Sequence, residues 1–158
     1  MENVKNHIET RFDALSGSWV SKTSGYEEGA CEALDFTCEK KRYWDCTFED
    51  TYIELKKGKS IWLDEVRYSE VFEGIKNEDC KKKTITLFLI PDTKRTRIET
   101  IYILDTQKII KFMEITSESA AFIVNRSNIV KRSLNMQQSM TLKDLRCIAD
   151  YEIKVKYD

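Results

Sequence analysis

Short strand-like segments dominate the sequence after residue 17, and they constrain the possible folds more than any other feature. Roughly nine or ten of them recur at a spacing of roughly 8–12 residues, as in all-β proteins. The clearest spans residues 147–157, where apolar and polar side chains alternate so that only one face can join a core. No strand–helix–strand rhythm interrupts the pattern. The sequence therefore predicts an all-β fold, an antiparallel up-and-down barrel whose last strand closes on its first.

A single helix is predicted before these strands. Val4, Ile8, Phe12 and Leu15 recur at spacings that place them on one helical face, and Gly17 is suited to end the helix. A helix of this length needs a surface to pack on, and the barrel offers one. We expect one domain over residues 1–158, with a helix over 1–16 and a barrel over 18–157. Trp19 is predicted to close one end of the barrel.

Two regions allow a second interpretation. Residues 120–125 and 128–134 are predicted to pair as strands, but residues 118–123 would also fit one or two helical turns. The same holds for residues 141–147. The alternative architecture is a twisted open sheet that packs around a long helix. It would need a second long amphipathic segment, which the sequence does not show.

Composition excludes several classes of function. The chain carries 26 Lys and Arg against 27 Asp and Glu, a net charge of −1, which argues against binding duplex nucleic acid. No apolar run approaches the ~20 residues of a membrane span, and the N-terminus lacks the apolar stretch of a signal peptide. We therefore expect a cytoplasmic protein, or else a mature chain whose leader is absent. Five cysteines and one histidine predict neither a disulfide framework nor a metal site nor a His-based catalytic centre.

Charged residues within apolar strands are the candidate ligand-binding groups. Glu99, Glu114 and Arg126 would orient the polar end of a ligand if their faces point inward, and would otherwise face solvent. The aromatic residues Trp44, Trp62, Tyr102 and Phe112 could stack on a flat ligand or simply fill the core. An enzyme that uses Glu99 and Glu114 as acid and base is a further hypothesis; no catalytic residue is otherwise assigned.

The segment Phe12-Asp13-Ala14-Leu15-Ser16-Gly17-Ser18-Trp19-Val20-Ser21 resembles the opening of the S-type phycobiliprotein lyases, lipocalin-like members of the calycin superfamily. Glu99-Thr100-Ile101-Tyr102 is similar to a strand of the same family. The resemblance implies a barrel that binds a linear tetrapyrrole and delivers it to a cysteine of an acceptor protein, in the plastid stroma if the source is photosynthetic. It also implies that Glu99 contacts the pyrrole nitrogens and that Lys22 or Arg126 meets the propionates.

Two functions from different classes follow. The first is a barrel that binds a small hydrophobic or amphipathic molecule, a linear tetrapyrrole or a fatty acid, with no other cofactor. The second is a protein–protein interaction module with a filled core and an apolar surface patch. An interior cavity would distinguish the first from the second.

Overall fold

The computed structural model describes residues 1–39, 44–77, 83–130 and 137–158, together with their side chains except those of 75–77 and 127–130. Cys80, residues 42–43 of one predicted strand and residues 131–134 of another lie outside the described residues.

Within these ranges the chain forms six α-helices and eight β-strands. The helices are α1 (Glu2–Glu9), α2 (Tyr26–Ala33), α3 (Glu65–Asn77), α4 (Thr106–Phe112), α5 (Ser117–Val130) and α6 (Leu142–Ile148). The strands are β1 (Thr37–Cys38), β2 (Cys46–Phe48), β3 (Thr51–Lys57), β4 (Ile61–Asp64), β5 (Lys83–Pro91), β6 (Ile98–Asp105), β7 (Gln137–Met140) and β8 (Tyr151–Lys154).

The strands form one open mixed sheet and a separate two-stranded ribbon. The sheet has the order β1-β2-β3-β5-β6-β8, and the ribbon pairs β4 with β7. The connection from β3 to its parallel neighbour β5 contains β4 and α3, whereas the other neighbours in the sheet are antiparallel. The predicted all-β barrel is therefore wrong: the protein is mixed α/β, and its last strand pairs with β6 rather than closing on the first strand.

Several predicted strands are helices in the structure. Residues 66–71 belong to α3, residues 108–115 overlap α4, and residues 120–125 belong to α5. These runs are short and rich in apolar residues, and periodicity does not separate a strand from a buried helix over such lengths. The alternative of helical turns at 118–123 and 141–147 is confirmed by α5 and α6.

The sheet carries an apolar core on each of its faces. On the first face, covered by α1 and α2, the buried side chains include Val4, Ile8, Leu15, Cys31, Ile53, Leu55, Ile85, Leu87, Ile101 and Ile153. On the second face, covered by the ribbon and the later helices, they include Leu63, Tyr68, Phe88, Ile90, Tyr102, Leu104, Ile109 and Leu145. Alternate residues of β5 and β6 enter opposite cores, which explains why both strands are apolar throughout.

The N-terminal segment keeps its predicted apolar face but not its predicted length. Helix α1 ends at Glu9, and two short 3₁₀ turns follow. Trp19 lies in the second of these turns and closes no barrel. It packs against α2 at Gly29, where an added Cβ would lie 2.5 Å from the Trp19 Cβ. Glycine at position 29 is therefore what allows α2 to approach this turn so closely.

Candidate functional site

The three charged residues predicted to face a ligand are all exposed. Glu99 is the extra residue of a bulge, because Ile90 pairs with Thr100 while Pro91 pairs with Ile98. Glu114 follows α4 in a left-handed conformation, and Arg126 lies on the surface of α5. Of the two alternatives for these residues, the structure shows the one in which they face solvent, since the bulge and the helices turn them outward; their role in ligand binding stays a prediction. Lys22 is also exposed.

The four predicted aromatic residues are dispersed. Tyr102 is buried in the second core, and Phe112 is half-buried on α4. Trp44 stacks on Tyr52 with ring centroids 3.8 Å apart, and its Nε1 donates a hydrogen bond to Glu39. Only Trp62 exposes most of its side chain, with 57% of the residue accessible.

Among the predicted residues, the structure brings Glu99 and Tyr102 to one surface pocket of about 260 Å³. Phe112 lines a different pocket with Lys108 and Lys111.

An unpredicted cluster of charges lies on the second face of the sheet, at its centre. Glu54 occupies the middle of β3, beside Thr86 of β5, and only 7% of the residue is exposed. Its Oε1 is 3.8 Å from both Lys56 Nζ and Arg67 Nη1. Its Oε2 is buried and, within the described part of the chain, has no hydrogen-bond partner. Because a buried carboxylate oxygen is costly to leave unpaired, this atom indicates a site for a positively charged ligand.

Asp45 places a second carboxyl group beside Glu54. It immediately precedes β2, and its backbone N–H donates to the carbonyl of Ile53 at 2.9 Å. Its Oδ2 accepts a 2.7 Å hydrogen bond from the backbone N–H of Leu55, the residue that follows Glu54 in β3. This hydrogen bond fixes the position of the Asp45 carboxyl group. Burial raises the pKa of Asp45, while the Leu55 hydrogen bond opposes this effect.

Burial is the largest cause that raises the pKa of Glu54, to about 7, and the charge of Asp45 adds to this rise. The charges of Lys56 and Arg67 oppose the rise in the pKa of Glu54. The charge of Glu27, in the first turn of α2, raises the pKa values of both Glu54 and Asp45. The surroundings of Glu54 therefore disfavour its ionised form.

Two tyrosines border the carboxyl groups. The Tyr26 hydroxyl donates to the carbonyl of Leu55 at 3.4 Å, and its pKa is raised by burial and by the charges of Glu27, Asp45 and Glu54. Lys56 Nζ lies 5.7 Å from the centre of the Tyr68 ring, which holds the ammonium group between the ring and Glu54.

A groove extends from Lys56 along the end of β3. Its first part, of about 210 Å³, is lined by residues that include Tyr26, Lys56, Lys57 and Trp62. Its second part, of about 370 Å³, is lined by residues that include Lys57, Lys59 and Arg95. The two parts share Lys57 and Gly58. We call this surface the basic groove and define it by Lys56, Lys57, Lys59 and Arg95.

Local backbone structure presents the cations of the basic groove. Gly58 has φ +128°, a value that glycine adopts without strain, and so allows the chain to turn between Lys57 and Lys59. Arg95 also has a positive φ, of 56°, in a turn held by hydrogen bonds from the backbone N–H groups of Thr96 and Arg97 to the Asp92 carboxyl group.

Two cations of the basic groove repel each other across it. Burial lowers the pKa of Lys57, and the charge of Arg95 lowers it further. In the residues that the structure describes, neither side chain has an ion-pair partner. Lys57 Nζ instead lies 4.9 Å from the centre of the Tyr26 ring. An anion bound between Lys57 and Arg95 would relieve this repulsion.

The cluster contains too few ligands to enclose a metal ion completely. Over the described ranges, no group of three or more His, Cys, Asp or Glu side chains is arranged to hold one by itself. Magnesium does not require such a cage, because it keeps several waters and is commonly bound through one or two carboxylates and the phosphate oxygens of a substrate. Glu54 and Asp45 therefore suit a hard divalent cation that is completed by water and an anionic substrate.

Sequence analysis missed this site for an identifiable reason. Tyr52, Glu54 and Lys56 lie on the polar face of a strand whose other face is apolar, a pattern that normally indicates solvent exposure. The burial of Glu54 depends on α3, which places Arg67 beside Glu54 and Tyr68 beside Lys56. The sequence signal for this site was the presence of two charged residues, Glu54 and Lys56, two positions apart in the segment that forms β3.

Comparison with known proteins adds no relative: the sequence matches no protein-family model and no curated protein, and the structure matches no solved structure. In the described part of the chain, no helix has the length and apolar character needed to cross a membrane.

Proposed function

We propose that this protein is a divalent-cation-dependent hydrolase that cleaves phosphodiester bonds in a nucleic-acid strand. The observation that carries the proposal is the buried Oε2 of Glu54, which has no hydrogen-bond partner among the described residues. The same carboxyl group has its Oε1 3.8 Å from Lys56 Nζ, and the charge of Asp45 acts on it. A cation bound by Glu54 and Asp45 would compensate the negative charge that the protein leaves there. The adjoining basic groove supplies cations for the phosphates on either side.

The residues have separate roles in this proposal. Glu54 and Asp45 hold the cation, which when bound neutralises phosphate charge and lowers the pKa of a coordinated water. Lys56 binds a non-bridging oxygen of the same phosphate. Water attacks phosphorus and forms a new P–O bond, and the bond to the leaving sugar oxygen breaks. The attacking water loses a proton to solvent, and the leaving oxygen gains one.

Substrate length follows from the groove rather than from the carboxyl groups. Lys57, Lys59 and Arg95 lie beyond Lys56 in the second part of the groove, so they can contact further phosphates of the same molecule. A phosphate monoester would leave these cations without an anion. A polyanionic strand satisfies them together, and this favours a nucleic-acid backbone.

The open sheet affects the ligand and partner expected from the sequence, but not the expected location. Binding of a linear tetrapyrrole or a fatty acid, and delivery to an acceptor protein, stay predictions, but the sheet formed by the described residues is open and encloses no barrel interior. A cytoplasmic location also stays a prediction.

Cation binding is the first test, measured as the change in melting temperature and by calorimetric titration with Mg²⁺ and Mn²⁺. We expect both ions to stabilise the wild type and to lose this effect in Glu54→Gln, while the exposed matched control Glu99→Gln keeps it. Fluorescently labelled oligonucleotides then report cleavage, which we expect to require the cation and to disappear in Glu54→Gln and Lys56→Ala. Equal stabilisation of the wild type and Glu54→Gln by Mg²⁺ would refute the assignment.

A further inference from the structure

Trp62 is a large apolar residue whose side chain is mostly exposed, although both of its neighbours in β4 are buried. Its neighbours Ile61 and Leu63 are 6% and 0% exposed and belong to the second core. Trp62 therefore projects from the opposite side of the β4–β7 ribbon. It pairs across the ribbon with Ser139, a small and exposed residue that cannot cover an indole ring. The indole ring is therefore free to make contact with a ligand, and covering it would be favourable.

The position of Trp62 relates this exposed ring to the proposed site. Trp62 lines the same part of the basic groove as Lys56, Lys57 and Tyr26. A ligand in this part of the groove can therefore contact the indole ring and the Lys56 ammonium group together. Such a ligand needs a flat apolar group and an anionic group a short distance apart, a combination that a nucleotide provides.

We propose that Trp62 is the stacking surface for an unpaired nucleobase of the strand whose phosphate lies at Lys56, so that the substrate is single-stranded at this point. The inference rests on the proposed function only for the position of the phosphate. Stacking on an aromatic side chain requires a free base face, whereas bases inside a duplex are covered by their neighbours. The net charge of −1 fits this selectivity, because duplex binders carry a general basic excess.

Charge complementarity selects this occupant over an apolar protein surface. The cations Lys57 and Arg95 lie near Trp62 in the continuous groove and have no ion-pair partner in the described part of the chain. An apolar protein segment would cover the indole ring but bury these cations without an anion. An acidic peptide would neutralise the cations but would not provide the planar group. Each of these ligands would leave part of the groove unsatisfied.

Equilibrium binding in EDTA tests stacking without cleavage. The probes are a 12-nucleotide oligothymidylate, an abasic strand with the same number of phosphates, and a blunt duplex of the same length. Base stacking is worth roughly 1–3 kcal/mol by alanine substitution, so we expect Trp62→Ala to weaken oligothymidylate binding about 5- to 150-fold. Trp62→Phe should retain most of the affinity, and Phe122→Ala, which removes another exposed aromatic side chain, should retain all of it.

The abasic strand distinguishes stacking from charge. Trp62→Ala should bind it as the wild type does, because only phosphate contacts remain. Equal binding of oligothymidylate by the wild type and Trp62→Ala, or tighter wild-type binding of the duplex than of oligothymidylate, would overturn the inference. Circular dichroism checks that each variant is folded. If Mg²⁺ neither stabilises the protein nor supports cleavage while the Trp62 effect persists, the proposed function fails and the stacking site stands.

Discussion

Replacing Glu54 by glutamine is the substitution that tests the electrostatic argument most directly. The carboxyl group is buried, and burial together with Asp45 raises its pKa from 4.5 to about 7. At about 1.36 kcal/mol per pKa unit, the difference corresponds to roughly 3 kcal/mol of destabilisation when the group is ionised. The buried amide of the variant also requires hydrogen bonds, so we expect Glu54→Gln to be about 1–3 kcal/mol more stable than the wild type in EDTA at pH 8.5.

The direction of the pH dependence follows from the raised pKa. Folded Glu54 binds its proton more tightly than the unfolded chain does, so the folded protein holds more protons between pH 4.5 and about 7. The contribution of Glu54 to stability is therefore intact below pH 4.5, falls across this interval and is lost above pH 7. The advantage of Glu54→Gln should consequently shrink at pH 5.

Urea unfolding followed by circular dichroism measures both effects, with Glu99→Gln as the exposed control at each pH. Magnesium should remove most or all of the advantage of Glu54→Gln at pH 8.5, because a ligand at 100 times its dissociation constant stabilises the wild type by about 2.7 kcal/mol and leaves Glu54→Gln unchanged. A wild type at least as stable as Glu54→Gln in EDTA at pH 8.5 would show that Glu54 is already satisfied within the protein, and would refute the reasoning.

Two further predictions concern the fold. Gly29→Ala should lower the free energy of unfolding by about 1–3 kcal/mol, because the new Cβ meets the Trp19 Cβ at 2.5 Å; chemical unfolding checks this, and an unchanged midpoint would contradict it. Thr141→Ala should cost about 1 kcal/mol, because the Thr141 side chain and Asp144 cap the start of α6 reciprocally; the loss should appear as a lower melting temperature, whereas equal melting temperatures would show that the capping box adds no stability.

Local patterns determined several elements correctly. Val4 and Ile8 of the predicted helical face lie on α1 and are fully buried, whereas the helix ends before Phe12, which is partly buried, and Leu15, which is buried. The predicted strands at 84–90 and 97–104 correspond closely to β5 and β6. These segments succeed because β-branched and apolar residues are dense there and turn residues bound them.

The same local information misjudged the second half of the chain. Residues 147–157 alternate in hydropathy, yet α6 extends to Ile148 and only Tyr151–Lys154 form a strand. Ile153 is buried, and Tyr151, Val155 and Tyr157 are partly buried against the first core, so the alternation does mark the side that faces the core. It carries no information on whether the sheet closes, and a barrel could not be inferred from it.

The sequence by itself determined which residues carry charge and apolar character: the stripe of α1, the apolar strands β5 and β6, and the polar face of β3. Only the tertiary structure decided that Glu54 is buried, because that depends on α3 crossing between the parallel strands β3 and β5. It also decided that Asp45 lies beside Glu54. A buried charge and its neighbours are set by packing between distant segments, and the sequence pattern of one strand cannot specify them.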